Sequence, residues 1–514
     1  MFKLLSDTFL INEIIDSNTY EALLENEITI SDDLDIGKII STEAKAKINS
    51  SNMLKDKIAV NGDLIYNIIY RSNDEDMTIC SKEGKIPFTE EISVPGAHEN
   101  MEATITPFID YVDSEVLPEN TVLVKAVVNL DFDVENKHPV SFISSFDSNG
   151  SFQAKSRNAD YTDVISQLKE ELNVNDAIEL NKNSNGISKI LKTDADAYIT
   201  NIDIMNERML VEGILKVGFL FTEDDGVFST GFVSEEFPFT HYFEIKNSSE
   251  DMLRDVEVVI NDLTFNTVEN NEDEKKLIEF SADLMLKAVL YDTVGKNLIT
   301  DAYSTEVELD TVWEDVNLTS LKNIKSATMK YENNFDVTTG TIKDVYTVDI
   351  SPKISEKRVV DNKFLVDGFL DVNLLYLNGE INKLDKAYAS MPFTASMDLN
   401  EDETMCDIYS NVTINRCSAY RKGSNSIMIS CDIKTDAKFK KTTPISIINN
   451  ITEVGLLDRS KQPSLIFRVV QNGETLWDIA KNYNISMNYL KEINDISQEE
   501  ALTPGTKVII AKRV

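Results

Sequence analysis

The chain is poor in the residues that most often carry metal binding, acid–base catalysis and disulfide bonding. Its 514 residues include three histidines and four cysteines. The cysteines are Cys80, Cys406, Cys417 and Cys431, and their spacing suits neither a zinc site nor a redox pair. We expect reduced, partly buried thiols, which predicts an intracellular protein.

Recognisable catalytic patterns are also missing. The sequence has no nucleophile elbow, no HExxH pattern and no phosphate-binding glycine loop. His98, His138 and His241 hold unrelated positions, and acidic stretches such as 270–274 lack the spacing of a calcium-binding hand. We therefore expect no enzyme activity, no metal and no cofactor. Paired carboxylates for glycoside hydrolysis stay open, because any two could meet in space in so acidic a chain.

Long apolar runs are absent, and positive charge is scarce. No run approaches the roughly 20 residues that a membrane-spanning helix needs, and the first residues lack the apolar core of a secretory leader. The formal net charge is −38. Such a chain is expected to repel nucleic acid and anionic membranes. The acids either keep long β domains soluble or select a basic partner at close range, since screening weakens charges beyond about 8 Å.

What the sequence does contain is a long internal repeat. A strand-like segment with a glycine at its third position begins at Val60, Val211 and Val366. A Pro-Phe-Thr triplet follows each copy, at Pro87, Pro238 and Pro392. The copies lie about 150 residues apart, which is too long for a solenoid unit and close to the length of a single domain. The sequence therefore predicts a string of homologous domains at 1–150, 151–305 and 306–455, with a small module at 464–514.

The repeated segment predicts an amphipathic strand. Apolar residues occupy every second position, so one face is buried and the other faces solvent. The recurring glycine predicts a bulge or a neighbouring side chain that needs the space. Polar turns at 206–207 and 361–362 predict a hairpin with the preceding strand. The predicted fold class is mainly β, with three tandem antiparallel domains that also hold short helices near 36–41, 164–172 and 318–324.

These repeats resemble SPOCS domains, which occur in spore-coat proteins of endospore-forming bacteria. The residues that carry the resemblance are the Asp35-Ile36-x-Lys38-Ile39-Ile40 element, the Val-x-Gly strand and the Pro-Phe-Thr triplet. The second copy repeats the first element at 187–191, whereas the third has only Ile342-Lys-Asp-Val345 there.

The last fifty residues carry the most specific pattern. A short apolar strand ends at Asn472-Gly473, Thr475 can cap a helix, and a second helix is predicted after Ser486. Thr503-Pro504-Gly505 then turns the chain into a final strand. The order is strand, helix, helix, strand, an α+β unit with as many acidic as basic residues.

This segment resembles a LysM module, through Gly473 to Trp477, Ile479-Ala480, Tyr483, Leu490, Asn494, Leu502, Pro504-Gly505 and Val508. The resemblance implies binding of N-acetylglucosamine polymers, or of proteins, in a groove between the loop after the first strand and the loop before the last. The candidate groove residues are Gly473, Glu474, Thr475, Leu476, Trp477, Asn494, Asp495, Ile496 and Pro504. Trp477 either stacks on a ligand ring or packs half-buried on the first helix, and Gly473 serves either the turn or a contact. The acidic residues Asp495, Glu499 and Glu500 favour a basic protein over a neutral glycan.

Together the resemblances imply a spore coat morphogenetic scaffold of the family of SpoIVA-interacting protein L, whose layout SpoVID shares. By resemblance, the chain lies in the mother-cell cytoplasm at the forespore surface and is not secreted. The LysM tail would dock to a SpoIVA-like coat protein, and the repeats would bind other coat proteins or a second copy of the chain through exposed strand edges. The alternative is a cell-wall protein that binds peptidoglycan, against which the missing secretory leader argues.

Overall fold

Across the residues that it describes, the computed structural model consists mostly of antiparallel strands, with two α-helices near the C-terminus. The described residues are 3–30, 35–147, 151–182, 184–205, 207–226, 229–246, 249–270, 274–338, 340–458, 460, 463–496 and 503–511. Glu499, Glu500 and Leu502 lie outside them, as do Asn206 and the middle of the acidic stretch 270–274.

Each repeat is a sandwich of two three-stranded sheets. In the first repeat one sheet has the order β2–β3–β4 and the other has the order β1–β6–β5. The strands are β1 Lys3–Thr29, β2 Ile36–Leu54, β3 Lys57–Ser72, β4 Ile79–Ser93, β5 Glu102–Leu117 and β6 Thr121–Asp147. The two sheets share one core, in which Leu64 and Ile68 of β3 join Val124 and Val128 of β6.

The second and third repeats have the same topology. The second consists of β7 Phe152–Glu179, β8 Ile187–Met205, β9 Arg208–Glu223, β10 Thr230–Glu244, β11 Leu253–Val268 and β12 Leu277–Ser304. The third consists of β13 Val307–Asp336, β14 Ile342–Val360, β15 Lys363–Asn378, β16 Lys383–Asp398, β17 Asp407–Arg421 and β18 Ser426–Leu456, with a 3₁₀ turn at Glu403–Met405. Each of these repeats also has its own apolar core. The predicted mainly β fold class is confirmed.

The recurring glycine is explained by both of the predicted reasons. Gly62 pairs across the strands with Phe88 of the Pro-Phe-Thr triplet. A Cβ on Gly62 would lie 2.4 Å from the Phe88 ring and 2.7 Å from the Lys47 carbonyl oxygen. The register of β2 against β3 shifts next to this point, between Ile48 and Ser50. The Phe88 side chain therefore occupies the space that a side chain at position 62 would need, beside a bulge in the partner strand.

The three predicted short helices in the repeats are wrong. Residues 36–41, 164–172 and 318–324 lie within β2, β7 and β13. Their apolar residues are spaced irregularly because register shifts interrupt the pairing, as between Leu321 and Asn323. A bulge adds one residue to the alternation, and the resulting spacing imitates helical periodicity.

The repeats close into a ring, whereas the repeat period had suggested a linear string. Strand β4 of the first repeat contacts β8 of the second, β10 of the second contacts β14 of the third, and β16 of the third contacts β2 of the first. These are equivalent pairs of strands, so one head-to-tail interface occurs three times. A heterologous interface of this kind generates a ring when its rotation closes.

Apolar residues from equivalent positions meet where the ring closes. Ile69, Leu220 and Leu375 belong to one buried cluster with Ile40 and Leu191. Tyr346, at the place equivalent to Ile40, packs against this cluster and donates a hydrogen bond to the Thr230 carbonyl oxygen at 2.6 Å. The three repeats therefore share a core in addition to their individual ones.

The longest strands also hold the ring together. The pairs β1–β6, β7–β12 and β13–β18 run on beyond the sandwiches as two-stranded ribbons. Phe142, Leu298 and Ile447 lie in one buried cluster between the ribbons, and the next residues Ile143, Ile299 and Ile448 lie in a second. Each ribbon thus contributes the same two positions to the shared core.

A charged layer lies beside the apolar cluster of the ring. Lys192 is nearly buried and forms ion pairs with Glu43 of the first repeat at 2.7 Å and with Asp194 at 2.9 Å. Burial opposes its charge, but the two carboxylates outweigh burial and raise the pKa of Lys192. The other repeats have Ser41 and Thr347 at this register position, so only the second repeat supplies an ammonium group there.

The C-terminal module is a compact α+β unit. Strands β19 Leu465–Val469 and β20 Lys507–Ala511 pair antiparallel, and helices α1 Leu476–Asn482 and α2 Met487–Ile493 lie between them in the chain. Leu476, Ile479, Leu490, Val508 and Ile510 form the core of the module. The predicted strand–helix–helix–strand order is confirmed.

Candidate functional site

The first loop of the candidate groove is shaped by its own side chains. Gly473 has a φ of 78°, which favours glycine, and an added Cβ would meet nothing within 4 Å. Glu474 accepts hydrogen bonds from the Gln471 backbone N–H at 2.9 Å and from Arg468 Nη2 at 3.0 Å. The Gln471 bond is the largest cause of the lowered pKa of Glu474. Gly473 therefore serves the turn, and Glu474 braces it.

Thr475 begins helix α1 through a capping box. Its Oγ1 accepts a hydrogen bond from the Asp478 backbone N–H at 3.2 Å, and the Asp478 carboxylate accepts one from the Thr475 N–H at 2.9 Å. These bonds satisfy backbone donors that the first helical turn leaves unpaired. The cap that the sequence predicts is present, and Thr475 itself stays exposed.

The second loop is tied to the module's sheet by one amide side chain. Asn494 Oδ1 accepts from the Ile509 N–H at 2.6 Å, and Asn494 Nδ2 donates to the carbonyl oxygens of Ile509 at 2.8 Å and Leu490 at 2.9 Å. Asn494 is therefore occupied by the backbone. Its neighbour Asp495 is exposed, and Ile496 packs against the core of the module.

The two loops meet at their bases. The Gly505 N–H donates to the Val470 carbonyl oxygen at 2.9 Å, and the Val470 N–H donates to the Thr506 carbonyl oxygen at 2.9 Å. These bonds bring Pro504 next to the start of the first loop. Solvent reaches Gly473, Thr475, Asp495 and Pro504, which form an open rim.

Leu476 and Trp477 do not belong to this open rim. Leu476 lies in the core of the module, and Trp477 is 9% exposed. The Trp477 ring does not pack half-buried within the module alone. It contacts Tyr303 of the second repeat, with ring centroids 5.0 Å apart, and its Nε1 donates to Asp301 Oδ2 at 2.7 Å.

The contact between the module and the end of β12 is a feature that sequence reasoning missed. Tyr303 donates from its hydroxyl to the Ile485 carbonyl oxygen at 2.7 Å. Lys481 Nζ lies 2.6 Å from Asp301 Oδ1. No signal in the sequence links these residues, because they lie about 180 positions apart and follow no known motif.

The remaining candidates for chemistry are the histidines, the cysteines and the acidic side chains. The described residues hold no group of three or more His, Cys, Asp or Glu side chains that could bind a metal ion. His241 pairs with Glu170 at 2.8 Å. None of the four cysteines, all of which the structure describes, forms a disulfide. Burial raises the pKa of Cys417 to about 12 and that of Cys431 to about 11, which keeps these two thiols protonated and unreactive. Neither helix of the described chain has the length and apolarity that crossing a membrane requires.

Comparison with known proteins identifies the building blocks. The family described as SipL, SPOCS domain matches residues 35–117, 186–268 and 341–421. The LysM domain family matches residues 469–511. No curated protein and no solved structure matches the chain. The first family indicates a sporulation protein related to the coat, and the second indicates glycan binding. The chain therefore is a protein of three SPOCS domains followed by a C-terminal LysM domain.

Proposed function

We propose that this protein is a non-enzymatic scaffold of the spore coat, located at the forespore surface in the mother-cell cytoplasm. Its LysM domain docks to a SpoIVA-like coat protein, and its SPOCS ring binds other coat proteins. The observation that carries the proposal is the combination of three SPOCS domains with one LysM domain in a single chain.

The open rim of the LysM domain supports docking to a protein. Gly473, Thr475, Asp495 and Pro504 are exposed around the two loops. Asp495 supplies a negative charge to this rim. A basic protein surface complements that charge, and charge complementarity speeds association and excludes wrong partners.

The ring offers further attachment surfaces for coat proteins. Strands β5, β11 and β17 each lie at one edge of a sheet. Large side chains are exposed along β5 and β17, among them Tyr111 at 53% and Tyr420 at 52%. Aromatic residues are common anchors of protein interfaces. Several such exposed side chains on one molecule provide multivalent attachment.

Deletion of residues 464–514 tests the proposal. The truncated chain is expected to lose capture of a SpoIVA-like coat protein in a pull-down, while its circular dichroism keeps the β signal of the ring. Asp495→Asn is the finer variant, because it removes the charge and keeps a residue that tolerates a φ of 55°. It is expected to weaken capture at low salt. The control Asp398→Asn changes an 88% exposed carboxylate in the third repeat and is expected to leave capture unchanged. Undiminished capture by the truncated chain contradicts the proposal.

Peptidoglycan binding is the second candidate function, and the match to the LysM family favours it. The domain's balanced charge also suits a neutral N-acetylglucosamine polymer. Co-sedimentation with insoluble peptidoglycan separates the two candidates. Retention on peptidoglycan without capture of the coat protein would favour the cell-wall function over the scaffold.

A further inference from the structure

One carboxylate of the second repeat holds two groups of the LysM domain. Asp301, near the end of β12, accepts from Trp477 Nε1 at 2.7 Å and pairs with Lys481 Nζ at 2.6 Å. The Asp301 side chain is 18% exposed. A mostly desolvated carboxylate that accepts an indole N–H and an ammonium group from one helix is a specific recognition contact.

Tyr303 completes the contact two residues further on. Its ring meets Trp477 edge to face, and its hydroxyl donates to the Ile485 carbonyl oxygen at 2.7 Å. Burial, and then the charge of Asp301, raise the pKa of Tyr303. Around this pair, Asn484 Nδ2 donates to the Ser304 carbonyl oxygen at 3.0 Å, and the Met487 N–H donates to Gln153 Oε1 at 3.3 Å.

Only the second ribbon carries this pair of residues. Ile143, Ile299 and Ile448 are equivalent positions in the cluster between the ribbons. Counting two and four residues onward gives Asp301 and Tyr303 in the second ribbon, but Ser145 with Asp147 in the first and Asn450 with Thr452 in the third. The LysM domain follows the third repeat in the chain, yet it packs on the second. Side-chain chemistry therefore directs the domain to that ribbon, in addition to its tether.

We propose that the Asp301–Tyr303 contact is a latch that withholds one binding face of the LysM domain. The latched face consists of Trp477 and Lys481 on α1 and the turn at Ile485. In the released state this face binds a partner segment that imitates the latch: an extended strand with a carboxylate and, two residues later, an aromatic side chain. The loop rim stays accessible in both states, so the domain has one permanent and one conditional surface.

The chemistry of the face sets the kind of partner. An indole N–H beside an ammonium group selects a carboxylate, and the edge-to-face geometry selects an aromatic ring. Trp and Tyr are also the residues that most often dominate the energetics of an interface. Because latch and partner use the same atoms, they exclude each other. If one molecule in ten is released, the apparent affinity of the face is about tenfold below its intrinsic affinity.

Tryptophan fluorescence of the full chain tests the latch. The protein has two tryptophans, and Trp313 is 44% exposed. Trp313→Phe therefore leaves Trp477 as the only indole. In this background, acrylamide is expected to quench Trp477 weakly, and Asp301→Ala is expected to raise quenching severalfold. Tyr303→Phe, which removes only the hydroxyl bond to Ile485, is expected to have a smaller effect. The matched control Asp398→Ala should leave quenching unchanged, and equal protection of Trp477 in Asp301→Ala would overturn the latch.

A synthetic peptide of residues 297–305 probes the partner chemistry. It is expected to bind the Asp301→Ala chain at least about tenfold more tightly than the latched chain, since release makes the face available. A peptide with alanine at the positions of Asp301 and Tyr303 should bind neither. Equal binding of the native peptide to both chains, or no binding to the released chain, would overturn the proposal.

The role of the face in coat assembly rests on the proposed function and is separated from it by the capture assay. Stronger capture of a SpoIVA-like protein by Asp301→Ala would support use of the latched face by that partner. Equal capture by both chains, with raised quenching, would show that the partner uses the rim and would overturn this part of the inference. Absence of capture in both chains would count against the proposed function, while quenching and peptide binding would still decide the latch.

Discussion

The strand glycines are single residues on which the stability of a repeat depends. In the third repeat the close approach is to backbone: a Cβ on Gly368 would lie 2.3 Å from the Lys353 carbonyl oxygen and 2.9 Å from the Phe393 ring. A backbone atom in a paired strand cannot swing aside as a flexible side chain can. Gly368→Ala is expected to lower the free energy of unfolding by about 1–3 kcal/mol, the usual range for overpacking. Urea denaturation followed by circular dichroism measures this change.

Gly455→Ala is the matched control, since a Cβ there would meet nothing within 4 Å. It is expected to leave the urea midpoint unchanged or to raise it slightly, because alanine has fewer unfolded conformations than glycine. If the two variants had the same stability, the close packing around Gly368 would not matter energetically. The glycines recur for a reason that the alternation alone left open, namely the phenylalanine ring of the following Pro-Phe-Thr triplet together with the backbone of the bulged partner strand.

At the scale of elements, the sequence predicted best where local chemistry and tertiary packing agree. The hairpin between β14 and β15 followed from alternation and from Asp361-Asn362, whose φ values of 49° and 57° fit a tight turn. Helix α1 followed from Thr475 and from apolar residues at helical spacing. The three wrongly predicted helices lie where bulges disturb the alternation of apolar residues. A bulge is defined by the pairing of two strands, and a single sequence does not show which strands pair. The sequence predicted the two loops of the rim. It did not predict that Trp477 is buried away from them, because that burial depends on Asp301 in the second repeat.

Asn494 tests whether a predicted groove residue binds a ligand or holds the fold. Its three hydrogen bonds join α2 to β20. Asn494→Ala leaves the Ile509 N–H without this partner, so we expect the LysM domain to lose about 1–3 kcal/mol of stability. Thermal unfolding followed by Trp477 fluorescence measures this loss in the Trp313→Phe, Asp301→Ala background, where the hydrogen bond to Asp301 no longer contributes to the signal.

Asn488→Ala provides the comparison on the same helix, because Asn488 is exposed. It should shift the unfolding midpoint by far less than Asn494→Ala. A groove-contact role predicts the opposite pattern for Asn494, with unchanged stability and weakened ligand capture. The two measurements together therefore distinguish a structural amide from a binding one.

For the whole molecule, the ring arises because one interface is used three times. Each repeat buries apolar side chains from the same register positions, such as Ile69, Leu220 and Leu375. Alternation marks these residues as candidates for burial, but it does not distinguish a repeat's own core from a shared one. The sequence therefore predicted three units in a string and did not predict their closure into a ring. A closed ring presents exposed side chains such as Tyr111 and Tyr420 at fixed spacing, which strengthens multivalent attachment compared with a flexible string.

Reuse of one interface predicts that a single repeat will assemble with itself. Residues 151–305 alone would expose Leu191, Leu220 and Leu298, which the other repeats cover in the full chain. Three copies can rebuild the ring, because each copy supplies both sides of the head-to-tail contact. Each copy also brings Lys192 together with Asp194, so the charged layer stays balanced. We expect a trimer in size-exclusion chromatography with light scattering.

The first repeat gives the contrasting case. Three copies of residues 1–150 would bring together three Glu43 carboxylates, with Ser41 where the second repeat has Lys192. Repulsion among these charges opposes closure, so this fragment is expected to assemble more weakly and to respond to salt. Leu220→Lys in the 151–305 fragment should abolish the trimer by placing a charge in the shared core. A folded 151–305 fragment that remains monomeric at high concentration would mean that chain connectivity, rather than the repeated interface, holds the ring closed.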